Sequence, residues 1–245
     1  MLLDEKVSII TGGARGIGLE MANRFLKEGS KIVIFDIIKE PKELSKNMHY
    51  YYVDVSNMEE VRSAVEKVIN KFKNIDVLVN SAGIIERESF LDISEQSWDK
   101  HFDVDCKGTF ICCQSVLNYM TRKKLGSIIN ISSIAGHIVR TQQAHYCAAK
   151  AAVIHLTRCL SVEFAPFNIR INSICPGMTY SGMLEDVFKK ESIDKNKILQ
   201  NIPLGKFAEA KDHAEIAVFL ASDKSSHITG QIISVDGGQS LNLIY

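Results

Sequence analysis

Tyr146 and Lys150, in the run AHYCAAKAAV, are the residues whose types and spacing first suggest chemistry. On a helix, side chains at i and i+4 share a face, about 5–6 Å apart at Cβ. An ammonium beside a phenol favours the ionised phenol, because a nearby opposite charge stabilises the charged state. Such a pair can move a proton on and off an alcohol near neutral pH. The same spacing also occurs in helices that merely bury a ring and solvate an amine. The surroundings decide, beginning with the Ser-rich strand end INISS upstream of the pair.

A glycine turn supplies the second clue. Thr11-Gly12-Gly13-Ala14-Arg15-Gly16-Ile17-Gly18 follows an apolar run and opens a helical pattern. In a strand–turn–helix setting, glycines let the backbone approach a pyrophosphate at the helix N-terminus. Gly12, Arg15, Gly16, Ile17 and Gly18 are therefore candidate cofactor contacts. Asp36 ends the second strand 20 residues beyond Gly16, where a carboxylate can accept from the ribose hydroxyls of an adenosine. The same carboxylate repels a 2′-phosphate, which favours NAD over NADP. Arg15 argues the other way, but Ile37 and Ile38 offer no base beside Asp36.

The elements that must position these residues are legible as alternating patterns. Lys6–Thr11, Lys31–Phe35, His49–Val53, Asp76–Asn80, Gly126–Ile131, Arg170–Cys175 and Gln231–Val235 are near-continuous apolar runs, as expected of strands covered on both faces. Between them, Ile17, Met21 and Phe25 form one helical stripe ending at Gly29, and Val61, Val65, Val68 and Phe72 form another. Strand–helix alternation implies crossover units and a parallel sheet. The expected fold is α/β, a doubly wound Rossmann-type parallel sheet of about seven strands with helices on both faces. No repeat or linker divides residues 1–245, so one domain is expected. Lys39–Asn47 is too short and polar for a full crossover helix and is expected as a loop or a single turn. Met178–Leu204 is a polar insertion without a strand, expected as a substrate lid.

Composition narrows the partners. With 29 basic and 29 acidic residues the net charge is zero, and neither nucleic acid nor an anionic membrane is the expected partner. The six cysteines show no CxxC and no ligand spacing with histidine, so no metal is expected and reduced, mostly buried thiols are. The amino terminus lacks a signal core, and no apolar stretch approaches a membrane span. A cytoplasmic protein is expected.

Taken together, TGxxxGxG, Asn80-Ser81-Ala82-Gly83, the Ser133/Tyr146/Lys150 set and Pro176-Gly177, in that order, make the chain resemble the short-chain dehydrogenase/reductase family over essentially its whole length. The resemblance implies a nicotinamide cofactor and a homotetramer built on the helices after Asp99 and around Tyr146–Phe164. It implies that Asp54 and Val55 flank the adenine and that Asn80, Ala82 and Gly83 line the ribose side. Lys150 would hold the nicotinamide ribose, while Pro176, Gly177 and Thr179 would meet the carboxamide. Ser133, 13 positions before Tyr146, is the serine carried over, rather than Ser132. It would orient the substrate oxygen, with Tyr146 as general acid or base, its pKa lowered by Lys150 and the nicotinamide charge.

One residue departs from the family pattern. Asp105 stands in the run Val104-Asp105-Cys106-Lys107-Gly108 where the family has asparagine, which there helps hold a water in a proton relay. A carboxylate can accept but not donate, and it would strengthen the attraction on Lys150 and offset part of the Tyr146 depression. His137 and His145 are expected in loop or capping roles, Trp98 against the sheet edge, and Cys112-Cys113 as structural. The expected activity is hydride transfer between NAD and a secondary alcohol or ketone, with a sugar, sugar acid or polyol as the leading substrate class. A 3-oxoacyl-carrier-protein reductase is the alternative enzyme, and a catalytically impaired NAD-binding regulatory protein is the alternative from another class.

Overall fold

The computed structural model describes residues 1–38, 44–180 and 195–241. Its seven strands are β1 (Val7–Thr11), β2 (Lys31–Asp36), β3 (Met48–Tyr52), β4 (Val77–Asn80), β5 (Gly126–Ile131), β6 (Ile169–Pro176) and β7 (Ile232–Val235). Each lies where its apolar run predicts, with ends moved by at most one residue. They pair in parallel in the order β3-β2-β1-β4-β5-β6-β7. The chain winds outward from β1 to β3, then crosses to β4 on the other side of β1. That reversal leaves a crevice beyond the carboxyl ends of β1 and β4, the place where open α/β sheets bind ligands.

Period-two alternation within the strands explains why both faces are covered. Ile9, Val33, Leu78, Ile128 and Ile171 point into a core shared with Val61, Val65 and Val68 of α2 (Met58–Phe72) and with Ile111 and Val116 of α4 (Gly108–Lys123). Ile10, Ile32, Ile34, Val79 and Ile129 point the other way. They meet Met21 and Phe25 of α1 (Gly16–Lys27), and Ala214, Ala217 and Val218 of a later helix, Ala210–Ala221. Adjacent residues therefore serve opposite layers, and a one-residue slip would expose both sets.

Two local features bring the chemistry-bearing residues to the crevice. A short helix α3 (Glu95–His101) runs into α4 through a π-helical stretch, Phe102–Lys107. Widened turns of this kind recur at functional sites, and this one contains the fully buried Asp105. The long helix α5 (Ala144–Phe164) carries Tyr146 and Lys150. It is fastened to the sheet by a buried polar chain: Asn80 Nδ2 donates to Asn130 Oδ1 (2.8 Å), and Asn130 Nδ2 donates to Thr157 Oγ1 of α5 (2.9 Å).

Other expectations fare differently. Trp98, expected against the sheet edge, lies exposed on α3 with its ring stacked on Phe102 at 5.0 Å. Residues 44–47 are irregular, as expected of a loop, while 39–43 lie outside the described residues, as do 181–194 of the expected lid. The described end of that segment includes a single helical turn, α6 (Lys195–Leu199), so α7 is the helix Ala210–Ala221. Among the described residues, no helix is long and apolar enough to cross a membrane.

Asn130→Ala would leave the Asn80 amide only the weak acceptor Cys113 Sγ and remove the tie to Thr157. Each buried polar group left unsatisfied costs about 1–3 kcal/mol, so the variant should lose about 2–3 kcal/mol in urea unfolding. A loss below about 0.5 kcal/mol, within the range of ordinary surface changes, would show that the chain does not hold α5.

Candidate active site

The end of β5 and the first turns of α5 build one half of the site. Ser132 and Ser133 follow Ile131 and have separate tasks. Ser132 Oγ donates to the Lys150 carbonyl (2.8 Å), tying the strand end to the helix. Ser133 starts a tight turn, Ile134–Gly136, where its Oγ accepts from Ala135 N–H (3.1 Å). Gly136 lets this turn close on α5: a Cβ there would lie 2.6 Å from Ile154 Cδ1 and 3.0 Å from the Lys150 carbonyl. The result sets the Ser133 hydroxyl against the Tyr146 phenol, which supports Ser133 rather than Ser132 as the residue facing the site.

Lys150 is buried one turn beyond Tyr146, its Nζ 5.7 Å from the centre of the Tyr146 ring. It donates to the Ile131 carbonyl (3.2 Å) and pairs with Asp105 Oδ1 (3.2 Å). Asp105 Oδ1 also accepts from Ile84 N–H (3.1 Å), and its Oδ2 is buried without a partner. Gly83 makes this junction possible, since a Cβ there would come 2.6 Å from Asp105 Oδ1 and 3.1 Å from Lys150 Nζ.

Burial opposes the expected influence of Lys150 on Tyr146 in the protein without cofactor. Burial raises the Tyr146 pKa; Lys150 and the Ser133 hydroxyl pull it down but do not overcome that burial, and Asp105 raises it further. The tyrosine is thus held protonated by its own protein, not ionised by Lys150 alone. Burial also works against the Lys150 charge, but Asp105 and Tyr146 outweigh it, and the lysine pKa is raised. Asp105 therefore acts on both members of the pair in the direction anticipated for it.

The glycine turn lies at the same crevice. Gly12 adopts φ +63° and approaches the loop after β4 so closely that a Cβ would be 2.7 Å from Ala82 Cα. Gly16 also has positive φ, with open space around its α-carbon. α1 then starts from exposed Arg15 with no side-chain cap and no acid in its first turn, leaving its orphan N–H groups to an anion. Thr11 joins the two loops, its Oγ1 accepting from Ser81 N–H (3.1 Å) and Ala82 N–H (3.0 Å). Asp36 accepts from Ala14 N–H and Ile38 N–H, both at 3.0 Å, which fixes its carboxylate beside the turn. These residues fit a dinucleotide: an uncapped helix start for the pyrophosphate and an anchored carboxylate where a ribose would lie.

Further expected contacts divide. Asp54 and Val55 follow β3; Asp54 N–H donates to Glu60, and Val55 packs so close to Gly108 that a Cβ there would lie 2.7 Å from its Cγ2. Pro176 ends β6, and Gly177 sits where a Cβ would strike Asp236. Thr179 Oγ1 lies 2.8 Å from His213 Nε2, and burial pushes His213 down to about 4, so the imidazole is neutral. At Asn80 the side chain is committed to the interior. It turns inward to Asn130 and Cys113, since the end of β4 is enclosed between β5 and α4. His145 fills its capping role, Nδ1 accepting Tyr146 N–H (2.9 Å), and Cys112 and Cys113 are buried core thiols.

Sequence reading missed Thr11, the buried His101, whose ring lies 3.8 Å from that of His145, and Glu88, 3.6 Å from His145 Nε2. It also missed Arg140, six residues before Tyr146. Thr11 ends β1 and His101 ends α3, while Glu88 and Arg140 lie on loops, so no shared motif marks them.

Residues 12–240 match the family described as enoyl-(acyl carrier protein) reductase. Among curated relatives, the 3-oxoacyl-[acyl-carrier-protein] reductase of Thermotoga maritima is 38% identical, over 97% of this chain and 99% of its own. The protein of that name from Chlamydia trachomatis is 36% identical over 98% and 99%. The chain is a short-chain dehydrogenase/reductase. Solved members of similar shape include the aldohexose dehydrogenase of Thermoplasma acidophilum (29% identical, TM-score 0.92, covering 99% of this chain and 97% of that one). Another is ElxO with NADP bound (31% identical, TM-score 0.92, covering 97% and 100%). As a short-chain dehydrogenase/reductase, the protein is an oxidoreductase acting between hydroxyl and keto groups.

Because Asp105 raises both pKa values, Asp105→Asn should lower both. In the oxidative direction, where the phenolate form is needed, the rise of kcat/KM with pH should move to lower pH while the maximal rate stays within about threefold, a conservative exchange leaving geometry intact. A pH–rate profile identical to that of the parent would contradict this role.

Proposed function

We propose that this short-chain dehydrogenase/reductase reduces the ketone of a 3-oxoacyl thioester, using NADH in preference to NADPH. The observation that carries the substrate class is the end-to-end similarity, at 36–38% identity, to proteins named 3-oxoacyl-[acyl-carrier-protein] reductase. They reverse the order in which the sequence alone ranks the two substrate classes. The second reading, oxidation of a sugar, sugar acid or polyol, is supported by the likeness to aldohexose dehydrogenase. The NAD preference is supported by Asp36, anchored by two backbone donors where a 2′-phosphate would meet negative charge.

When bound, the nicotinamide supplies or accepts the hydride. The protein's own residues supply the rest. Ser133 holds the substrate oxygen, and Tyr146 gives that oxygen a proton during reduction or takes it during oxidation. A tyrosine held protonated by burial suits the reductive direction, because the acid is loaded before the carbonyl arrives. Lys150, kept charged by Asp105, stabilises the phenolate left behind. Gly12, Gly16 and the start of α1 receive the pyrophosphate. Phe110 on α4 and Val162 on α5 leave apolar surface exposed, which supports the proposed tetramer built on these helices.

Assays of acetoacetyl thioester, D-gluconate, D-glucitol and glucose with each cofactor test this reading. The thioester should be reduced with the highest kcat/KM, NADH exceeding NADPH by about tenfold or more, as expected for one unfavourable charge contact. Tyr146→Phe should lose at least about a hundredfold, the usual contribution of a positioned acid. A preference for NADPH, or for a sugar, would overturn the corresponding half. No turnover of any substrate by the wild type, leaving Tyr146→Phe nothing to lose, would favour the regulatory reading.

A further inference from the structure

We propose that Arg140 is a specificity-determining residue, whose guanidinium receives an anionic group, a carboxylate or a phosphate, carried by the substrate beyond the carbon that reacts. The inference rests on the oxidoreductase reading and adds a charge to the substrate class.

Arg140 lies on the loop between Ser133 and Tyr146, the two residues that address the substrate oxygen. It is half-buried, and among the described residues its guanidinium has neither a hydrogen bond nor an ion pair. Other half-buried arginines are satisfied. Arg24 pairs with Glu28 and Glu215, and Arg170 donates to Ser225 and to the Leu220 and Ser222 carbonyls. A desolvated cation without a counter-charge is costly, and such groups are ordinarily paired. Burial indeed pushes the Arg140 pKa down, and the groups that Arg140 senses are Cys147, Tyr146 and a second cation, Arg87.

Among the described residues, the two acids on the facing loop, Glu86 and Glu88, have other partners. Glu86 binds Lys100 of α3 (2.7 Å), and Glu88 accepts from Ser97 (2.6 Å) beside His145. The two substrate-side loops are tied to each other at Gln142, whose carbonyl accepts from Glu88 N–H (2.8 Å) and whose Oε1 accepts from Arg87 (3.5 Å). α5 begins next to them with no acidic residue in its first turn, so its dipole adds to the positive field. Fixed loops, the half-buried Arg140 cation and a helix start beside the catalytic phenol form a place for an anion.

Two matched pairs of substrates separate the sources of that anion. D-gluconate against D-glucitol reads a carboxylate on the substrate. Acetoacetyl phosphopantetheine against acetoacetyl N-acetylcysteamine reads the phosphate of a carrier arm. In one pair the wild type should favour the charged member by about tenfold in kcat/KM, the fold-change of one charge-assisted contact. Arg140→Gln should remove that preference through KM, with kcat and the uncharged member moving less than about twofold, and Arg140→Lys should restore part of it. Equal losses for charged and uncharged members, or an unchanged Arg140→Gln, would overturn the proposal. If neither pair is turned over, the substrate reading fails by itself. Titrating NADH-loaded protein with D-gluconate and with phosphopantetheine then decides: salt-sensitive binding lost in Arg140→Gln sustains the anion site, and no binding of either rejects it.

Discussion

The buried ion pair between Lys150 and Asp105 is the interaction on which the site depends. Two charges removed from water repay their desolvation only with close geometry and further hydrogen bonds. Here the Ile131 carbonyl serves the lysine, and Ile84 N–H serves the carboxylate. Each partner comes from a different part of the fold: α5, the π-helical stretch before α4, the end of β5 and the loop after β4. An asparagine at 105 would keep the acceptor for Ile84 N–H and the shape of this meeting point while removing the charge that faces Lys150. The glycine at 83 and the Ser132 bond to the Lys150 carbonyl exist in the space this pair defines.

The same pair sets the poise of Tyr146. An asparagine at 105 would leave Lys150 as a bare cation beside the phenol. The carboxylate takes up part of that field, so burial dominates and the tyrosine stays protonated. The positive charge of an oxidised nicotinamide is then the natural counterweight, coupling readiness for oxidation to the presence of the correct cofactor form. In the reductive direction no such counterweight is required. The electrostatic bias of the site and the names of its relatives therefore point the same way.

Much of this was legible in the sequence, for identifiable reasons. The strands were readable because a sheet covered on both faces demands unbroken apolar runs. The glycine turn and Asp36 were readable because backbone conformation and charge restrict which residues can stand there. The inward turn of Asn80 was not, since a side chain at a strand end can face either way and only the enclosure between β5 and α4 decides. Trp98 was misplaced because a large aromatic suggests burial, whereas its ring stays exposed and stacks on Phe102. The burial that opposes Lys150 at Tyr146 was not legible for a similar reason. Spacing shows that Lys150 is near but says nothing of how deeply the phenol is enclosed. Arg140 carries no motif at all, and its significance emerges only from burial without a partner.

A direct titration of Tyr146 is the most telling measurement. Phenolate absorbance of the wild type, with that of Tyr146→Phe subtracted, isolates this tyrosine, and can be followed with and without NAD. The account predicts a pKa above that of free tyrosine, about 10, in the cofactor-free protein, falling when oxidised cofactor binds. A value already below that of free tyrosine without cofactor would contradict it, showing that Lys150 overrides both burial and Asp105.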